Sequence, residues 1–394
     1  MISVKAAQAL CLDPLVALET ELLPLADAAN RTLRTTAKAH RPQPPFAASA
    51  MDGYALQGTG ARPGATFQVV GEAAAGHGWN GRIGPGDTLR IFTGAPVPTG
   101  ADRIIIQEDV DRVGDTITLK ADLDSNPYVR PAGADFPAEF ALTSPRVLVP
   151  SDLALLAAMN IANVAVTREP HVALIATGDE LVMPGGTPRA DQIIASNIFG
   201  LKALIERAGG TATILPIAKD TAPALRTVLE QAVAADLIVT IGGASVGDHD
   251  LVGKVAQDFG LDRAFYKIAM RPGKPLMSGT LHGKAFLGLP GNPVSAMVCG
   301  HLFLIPMIRK LLGQSDVLPQ PIAATLGIDI APNGPREHYM RATLLDGPEV
   351  RVIVPAERQD SALLTVLAEA NALLIRPVKD PAREKGSAVK AILL

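Results

Sequence analysis

HVALIATGDEL (171–181), TATILPI (211–217) and LIVTIGGASVGDHD (237–250) decide the fold of this chain. The apolar runs that open the first and third read as strands buried on both faces, and TATILPI reads as a second strand. Helical patterns lie between them. Residues 197–208 form one, stopped by Gly209-Gly210. In the next, Leu225, Val228, Leu229, Ala232 and Val233 recur at i, i+3, i+4, i+7 and i+8. Two further strands are expected around 264–268 and 285–289, then a long helix after Asn292. Strand–helix alternation of this kind builds a parallel sheet with helices on both faces, so the fold class is α/β.

Outward from this core the texture changes. Upstream, Ala7, Leu10, Cys11, Leu15 and Leu18 recur near helical spacing, and the first 40 residues read as amphipathic helix. From 41 to 140, short β-like runs (66–70, 88–92, 103–107, 116–119) alternate with Gly/Pro turns, giving a β-rich inserted lobe. SDLALLAAMN (151–160) reads as a helix with Ser151 as N-cap, able to rejoin the N-terminal helix and make the first domain discontinuous. Downstream, DVLPQP (316–321) breaks the pattern before short strands return. The expected division is 1–40 with 141–168, then 41–140, 169–315 and 316–394.

Composition narrows the function classes. A chain of 394 residues exceeds one typical core. Its net charge of −3 offers no broad basic surface for nucleic acid or an anionic membrane. Cys11 and Cys299 make neither a disulfide framework nor a metal cluster, and they read as reduced thiols of a cytoplasmic protein. No charged-then-apolar signal sequence opens the chain. The longest apolar run, 294–308, contains His301 and Pro306 and falls short of the roughly 20 residues a membrane span needs. Seven histidines lack HxxxH or HxH spacing, which argues against zinc. A GK[ST] phosphate loop and a GxGxxG after a strand are also missing, and no GxSxG or Cys/His nucleophile arrangement stands out.

Ligands of open parallel sheets bind beyond the carboxyl ends of the strands. Three loops hold that position: 177–180, 242–250 and 290–295. In the second, Gly242, Gly243, Ser245 and Gly247 combine close backbone approach with a hydroxyl, and the following helix offers its N-terminal partial charge to an anion. In the third, Pro290 and Pro293 stiffen a turn around Gly291, while Asn292 or Ser295 can cap the helix. Any one such loop can equally be a tight βα turn; three at successive strand ends favour a phosphate site. Glu180, Asp220, Asp248 and Asp250 share that side, and hard carboxylate oxygens beside substrate phosphates suit Mg²⁺. Asp179 and Asp220 can instead be helix caps or solvated charges. Lys274, between the prolines of MRPGKP (270–275), is a cation on a stiff loop. In the lobe, SAMDGYAL (49–56) presents Asp52, which can equally open a plain type I turn, and IFTGAPVPTGAD (91–102) presents the Thr93 hydroxyl.

PPFAASAMDGYAL (44–56), IFTGAPVPTGAD (91–102), ATGDEL (176–181), SNIFGLKALIERAGG (196–210), TIGGASVGDHD (240–250), MRPGKP (270–275) and GLPGNPVSA (288–296) together resemble the MoeA/gephyrin E-domain family, the molybdopterin molybdenumtransferases. SVGD and PGNP alone would indicate the wider molybdopterin-binding fold, and the MDGYA and TGAPVP segments narrow the resemblance. Arg271 stands where the family often has lysine, and RPAGADF (130–136) departs from the usual RxxGED pattern.

The resemblance implies a homodimer with four parts per chain, ending in a C-terminal β-barrel. It implies functional positions at Asp52, Thr93, Asp135, Glu180, Asp220, Asp250, Lys274, Pro290, Pro293, Arg341 and Ser361, with Arg271 beside Lys274. It further implies transfer of molybdenum from molybdate to adenylyl-molybdopterin with release of AMP, assisted by Mg²⁺, and room for contacts with other proteins of molybdenum cofactor biosynthesis. Two alternatives share parts of the pattern. A molybdopterin adenylyltransferase would use the same phosphate loops but leave the lobe without a purpose. A scaffold of the gephyrin E-domain type would not need Asp52, Glu180 and Lys274 together.

Overall fold

The computed structural model describes residues 1–243, 251–347 and 350–394. At its centre lies a six-stranded sheet in the order Thr211–Ile214, His171–Ala176, Leu237–Ile241, Lys284–Leu289, Met277–Leu281, Leu261–Tyr266. The first four strands are parallel, and the last two run antiparallel to their neighbours. The sheet is therefore mixed rather than wholly parallel. The reason is a tight hairpin: His282 and Gly283, at φ 50° and 77°, turn Met277–Leu281 directly back into Lys284–Leu289.

Alternation sorts the central side chains onto two faces. Val172, Leu174, Leu237, Val239 and Ile241 join one buried cluster, while Ala173, Ile175 and Ile238 join the other. Each buried Leu or Ile contributes about 1.5–3 kcal/mol, so a one-residue slip in register would be costly. On the first face packs Pro293–Leu311, a helical segment long and apolar enough to cross a membrane but 83% buried inside the fold. It is α-helical over Pro293–Cys299 and Ile305–Leu311, with a π-helical turn at Gly300–Leu304. Pro306 has no N–H to give the carbonyl four residues back, and Gln8 Nε2 donates to that oxygen, Leu302 O, at 3.0 Å.

Gln8 belongs to the opening helix, which is shorter than expected. It spans Val4–Leu12, capped by Ser3, and the proline at position 14 prevents its continuation. Leu15 and Leu18 pack beyond it without helix, and Thr20–Pro24 is a strand antiparallel to Asn163–Thr167. Val4, Ala7, Cys11 and Leu12 are buried with the α/β core, whereas the helix Pro150–Ala158 packs over Leu33, Leu148 and Val166. The two helices therefore do not rejoin. Val149 rather than Ser151 is the N-cap of Pro150–Ala158, because Asp152 turns back to accept from the Val149 N–H at 3.1 Å.

The lobe is a six-stranded sheet in the order Arg103–Ile106, Gly53–Leu56, Asp87–Ile91, Thr66–Ala73, Thr116–Leu119, Val110–Val113. At the C-terminus, Glu337–Leu345, Val352–Pro355, Ile322–Leu326, Ala388–Leu393 and Ala372–Arg376 form a closed five-stranded β-barrel. Closure comes from Ala372–Arg376 pairing back onto Glu337–Leu345. The short strand Met270–Arg271 adds to the start of Glu337–Leu345, so the barrel is fastened to the loop that carries Lys274.

Candidate active site

After His171–Ala176 the chain crosses to one neighbour, Thr211–Ile214, and later strands lie on the other side. The crevice between such diverging connections is where open α/β sheets bind ligands. Here the loops after His171–Ala176, Leu237–Ile241 and Lys284–Leu289 meet the barrel around a cavity of about 1010 Å³. Thr177, Glu180, Asp220, Gly242, Arg271 and Lys274 are among its walls.

Backbone constraints shape the floor. Gly242 has φ 96°, and a Cβ there would lie 2.8 Å from the Thr177 carbonyl oxygen, so glycine is required for the two strand-end loops to touch. Gly178, at φ 143°, leaves the space in which the Glu180 carboxylate sits, 2.3 Å from where a Cβ would be. Asn197 Nδ2 donates to Gly291 O at 2.8 Å and ties the 290–295 turn to the start of helix Asn197–Arg207. Asp179 and Asp220 are not helix caps. Each accepts from the other's backbone N–H, at 3.4 and 3.3 Å, which clips two loops together; Thr221 caps the following helix.

Glu180 and Asp220 are exposed carboxylates on the cavity wall, and no histidine or cysteine lines it among the described residues. Among those residues no group of three His, Cys, Asp or Glu is placed to hold a metal ion. An all-oxygen set of one or two carboxylates completed by phosphate and water is the arrangement Mg²⁺ prefers, so the donors fit that ion.

The cavity lining also carries cations. Arg271 and Lys274 share it with Arg336, Gln359, Asp360 and Ser361 of the C-terminal part. Beneath them Arg341 is fully buried. Its Nη2 donates to Arg358 O at 3.2 Å, while Nε and Nη1 have no partner among the described residues. Neighbouring His338 is pushed down to about 4, first by burial and then by the charges of Arg271, Arg341, Arg376 and Arg336. The imidazole is therefore neutral near pH 7 and adds no charge of its own. A field this positive in a partly enclosed wall concentrates anions.

The expected site residues fall into three groups. The cavity gathers Glu180, Asp220, Gly242, Gly243, Arg271, Lys274, Pro290, Gly291, Asn292, Pro293, Ser295 and Ser361. Asn292 is the N-cap of helix Pro293–Cys299 by position but makes no side-chain capping bond, and Ser295 is buried. Ser245, Gly247, Asp248 and Asp250 lie outside the described residues. Asp52, Thr93, Asp135 and Arg341 do not line this cavity, and none of its lining residues precedes Ala176.

In the lobe, Asp52 Oδ1 accepts from both the Thr93 N–H and the Thr93 hydroxyl, at 2.8 and 2.7 Å. Those two bonds, the backbone one first, hold its carboxyl below the usual range. Arg90 packs over Tyr54 and Phe92, 5.0 and 4.6 Å from the ring centres, and braces the same turn. Asp135 is an exposed loop residue whose N–H donates to Gln43 O at 2.9 Å. Sequence reasoning missed Asn197, Arg336, Gln359 and Asp360. The last two directly precede the recognised Ser361, and Arg336 lies in PREHYMR (335–341), the segment that carries the recognised Arg341.

Three family models match the chain in order. They are the MoeA N-terminal region (domain I and II) at 2–160, a probable molybdopterin binding domain at 173–310, and the MoeA C-terminal region (domain IV) at 323–394. The molybdopterin molybdenumtransferase of Nostoc sp. is 32% identical over 389 residues, covering 95% of this chain and 89% of that protein. The Haemophilus influenzae protein of the same name is 36% identical over 301 residues, covering 76% and 74%. A crystal structure of a molybdopterin biosynthesis MoeA protein from Pyrococcus horikosii aligns with TM-score 0.85 and 28% identity, covering 100% of this chain and 99% of that one. From the ordered matches, the near full-length identity and the shared fold, the chain belongs to the molybdopterin molybdenumtransferase family.

Proposed function

We propose that this chain transfers molybdenum from molybdate to adenylated molybdopterin and releases AMP. The observation that carries the reading is one cavity lined by phosphate-type loops, by carboxylates and by the cations Arg271, Lys274 and Arg336. The loops at Gly242–Gly243 and 290–293 receive the pyrophosphate. Arg271, Lys274 and Arg336 hold the molybdate dianion, with the unpaired charge of Arg341 behind them. Holding two reactants together can supply several kcal/mol of the barrier, up to about 7–11 in favourable geometry. The two dithiolene sulfurs form bonds to molybdenum, and their protons leave with one displaced oxo ligand as water. Water adds across the pyrophosphate, AMP departs, and the phosphate stays on the pterin.

Glu180 and Asp220 would hold Mg²⁺, with Asp248 or Asp250 available from the adjoining loop, and the ion would neutralise charge on the breaking pyrophosphate. The protein works as a homodimer in the cytoplasm. Asp52 and Thr93, which do not line their own chain's cavity, serve the cavity of the second copy. Support for this pairing is the completed polar turn at Asp52, which makes no hydrogen bond to its own α/β unit among the described residues.

Incubation with adenylated molybdopterin, molybdate and Mg²⁺ tests the reading. AMP release and cofactor formation should both depend on molybdate. Efficient ATP consumption with unadenylated molybdopterin, and no molybdate dependence, would instead favour the adenylyltransferase.

A further inference from the structure

We infer that Gln359 is a positioning residue for the molybdate-binding wall, acting through Ser361 and Asp360. The inference rests on the proposed transfer reaction and deepens it. The Gln359 side chain is half-buried, and its amide is fully engaged. Its Oε1 accepts from the Arg341 N–H at 3.0 Å, and its Nε2 donates to Arg341 O at 2.9 Å and to Ala356 O at 2.8 Å. One side chain therefore pairs with both backbone groups of a barrel strand residue while closing its own loop. Only an amide at the end of a two-carbon stem supplies this donor and acceptor set.

Two residues on, the segment is fixed again. Asp360 Oδ1 accepts from the Ala362 N–H at 2.8 Å, and Ser361 O accepts from the Val294 N–H at 3.1 Å. Val294 lies in the first turn of Pro293–Cys299, the helix that follows the 290–293 loop. Residues 356–361 are thus a strap pinned to the barrel by Gln359 and to the α/β unit by Ser361. Among the described residues the Ser361 hydroxyl has no hydrogen-bond partner, although Ser361 lines the cavity with Arg271 and Lys274. A free hydroxyl donor beside two cations, on a strap held at both ends, suits a tetrahedral oxyanion. Arg341 itself donates to the strap at Arg358 O, so the buried cation and the hydroxyl are set by the same clamp.

Gln359→Met keeps the length of the side chain and removes all three bonds. It should raise the molybdate KM about ten-fold, the effect of about 1.4 kcal/mol, while kcat and the KM for adenylated pterin change little. A residue that merely stabilises the barrel would lower Tm and leave this split absent. In a Ser361→Ala background the same change should add far less than ten-fold, because the two act as a unit. Backbone amide exchange at Arg341 should rise in Gln359→Met whatever the substrate. If that variant does not fold, Gln359→Glu carries the same comparison, since it keeps the acceptor and loses both donor bonds. An unchanged molybdate KM, or equal penalties in both backgrounds, overturns the inference while wild-type turnover leaves the transfer reading standing. No molybdate-dependent AMP release from wild type overturns the transfer reading, and the positioning role with it.

Discussion

The carboxylates of the α/β cavity and the carboxylate of the lobe are held in opposite ways. Asp52 arrives complete: one oxygen is saturated by two donors from Thr93, and its charge is fixed before any ligand is present. Glu180 arrives incomplete, exposed on the cavity wall with no hydrogen-bond partner for its carboxylate among the described residues. A completed turn positions something else, whereas an incomplete wall waits for what fills it. On the proposed reading the lobe acts as a fixed tool and the cavity as the place of binding.

The largest expected effect tests whether tool and cavity come from different copies. Asp52→Ala and Glu180→Ala should each be nearly inactive. After random subunit exchange about half the dimers are mixed, and in each mixed dimer one site carries both lesions and the other neither. Activity should recover to roughly a quarter of wild type by that symmetry. No recovery, with exchange confirmed by mass, would place both residues in one chain's site and end the comparison.

Next in size is the ion. Glu180→Gln should raise the Mg²⁺ concentration needed for half-maximal AMP release by about ten-fold or more, since a neutral amide holds a hard cation poorly. Full wild-type activity after exhaustive chelation would remove Glu180 from that role. Smaller again is Thr93→Val, which deletes the hydroxyl donor to Asp52 and keeps the backbone one. A loss of about five- to ten-fold in kcat is expected, the size of one solvent-exposed hydrogen bond. A variant indistinguishable from wild type would mean the backbone donor alone fixes the turn.

The last effect is on stability rather than on turnover. His338 is pushed down to about 4 from an ordinary value near 6.5, so between those pH values the unfolded chain binds a proton that the folded chain refuses. Stability from this group is full above about 6.5 and is lost as pH falls toward 4. His301, also pushed down to about 4 by burial, acts in the same window. Asp52, Asp152 and Asp380 lie below their ordinary values and so begin to cost stability only under more acid conditions, as pH falls from about 4. Urea denaturation between pH 7 and 4.5 should show a fall of about 2 kcal/mol for each histidine, roughly halved in His338→Gln. A flat wild-type profile would show that the ring of arginines leaves His338 open to water.

The same contrast explains what could be read from residue order. The α/β strands were legible because burial on both faces leaves near-continuous apolar runs, and glycines mark where their loops must touch. Met277–Leu281 escaped because its Ser278, Gly279 and Thr280 dilute that run, although the His282-Gly283 turn beside it was a usable signal. The opening helix was read too long because Leu15 and Leu18 keep helical spacing after the proline has ended the helix. In the site, the cavity's glycine loops and Lys274 were visible as local motifs. Gln359 was not, since its role depends on meeting Arg341 across 18 residues of barrel, and no local spacing encodes that contact.

The bond from Gln8 to Leu302 O has a consequence for inheritance. Position 306, as proline, cannot donate within its own helix, and position 8 lends the donor from a segment nearly three hundred residues away. A lineage that replaced Pro306 would restore the helix's own N–H and release position 8 to drift. One that kept Pro306 and lost Gln8 would take away that borrowed donor beneath the helix that carries the 290–293 loop. Loss of Gln8 should therefore be tolerated once Pro306 has been replaced, and tolerated less well while Pro306 remains.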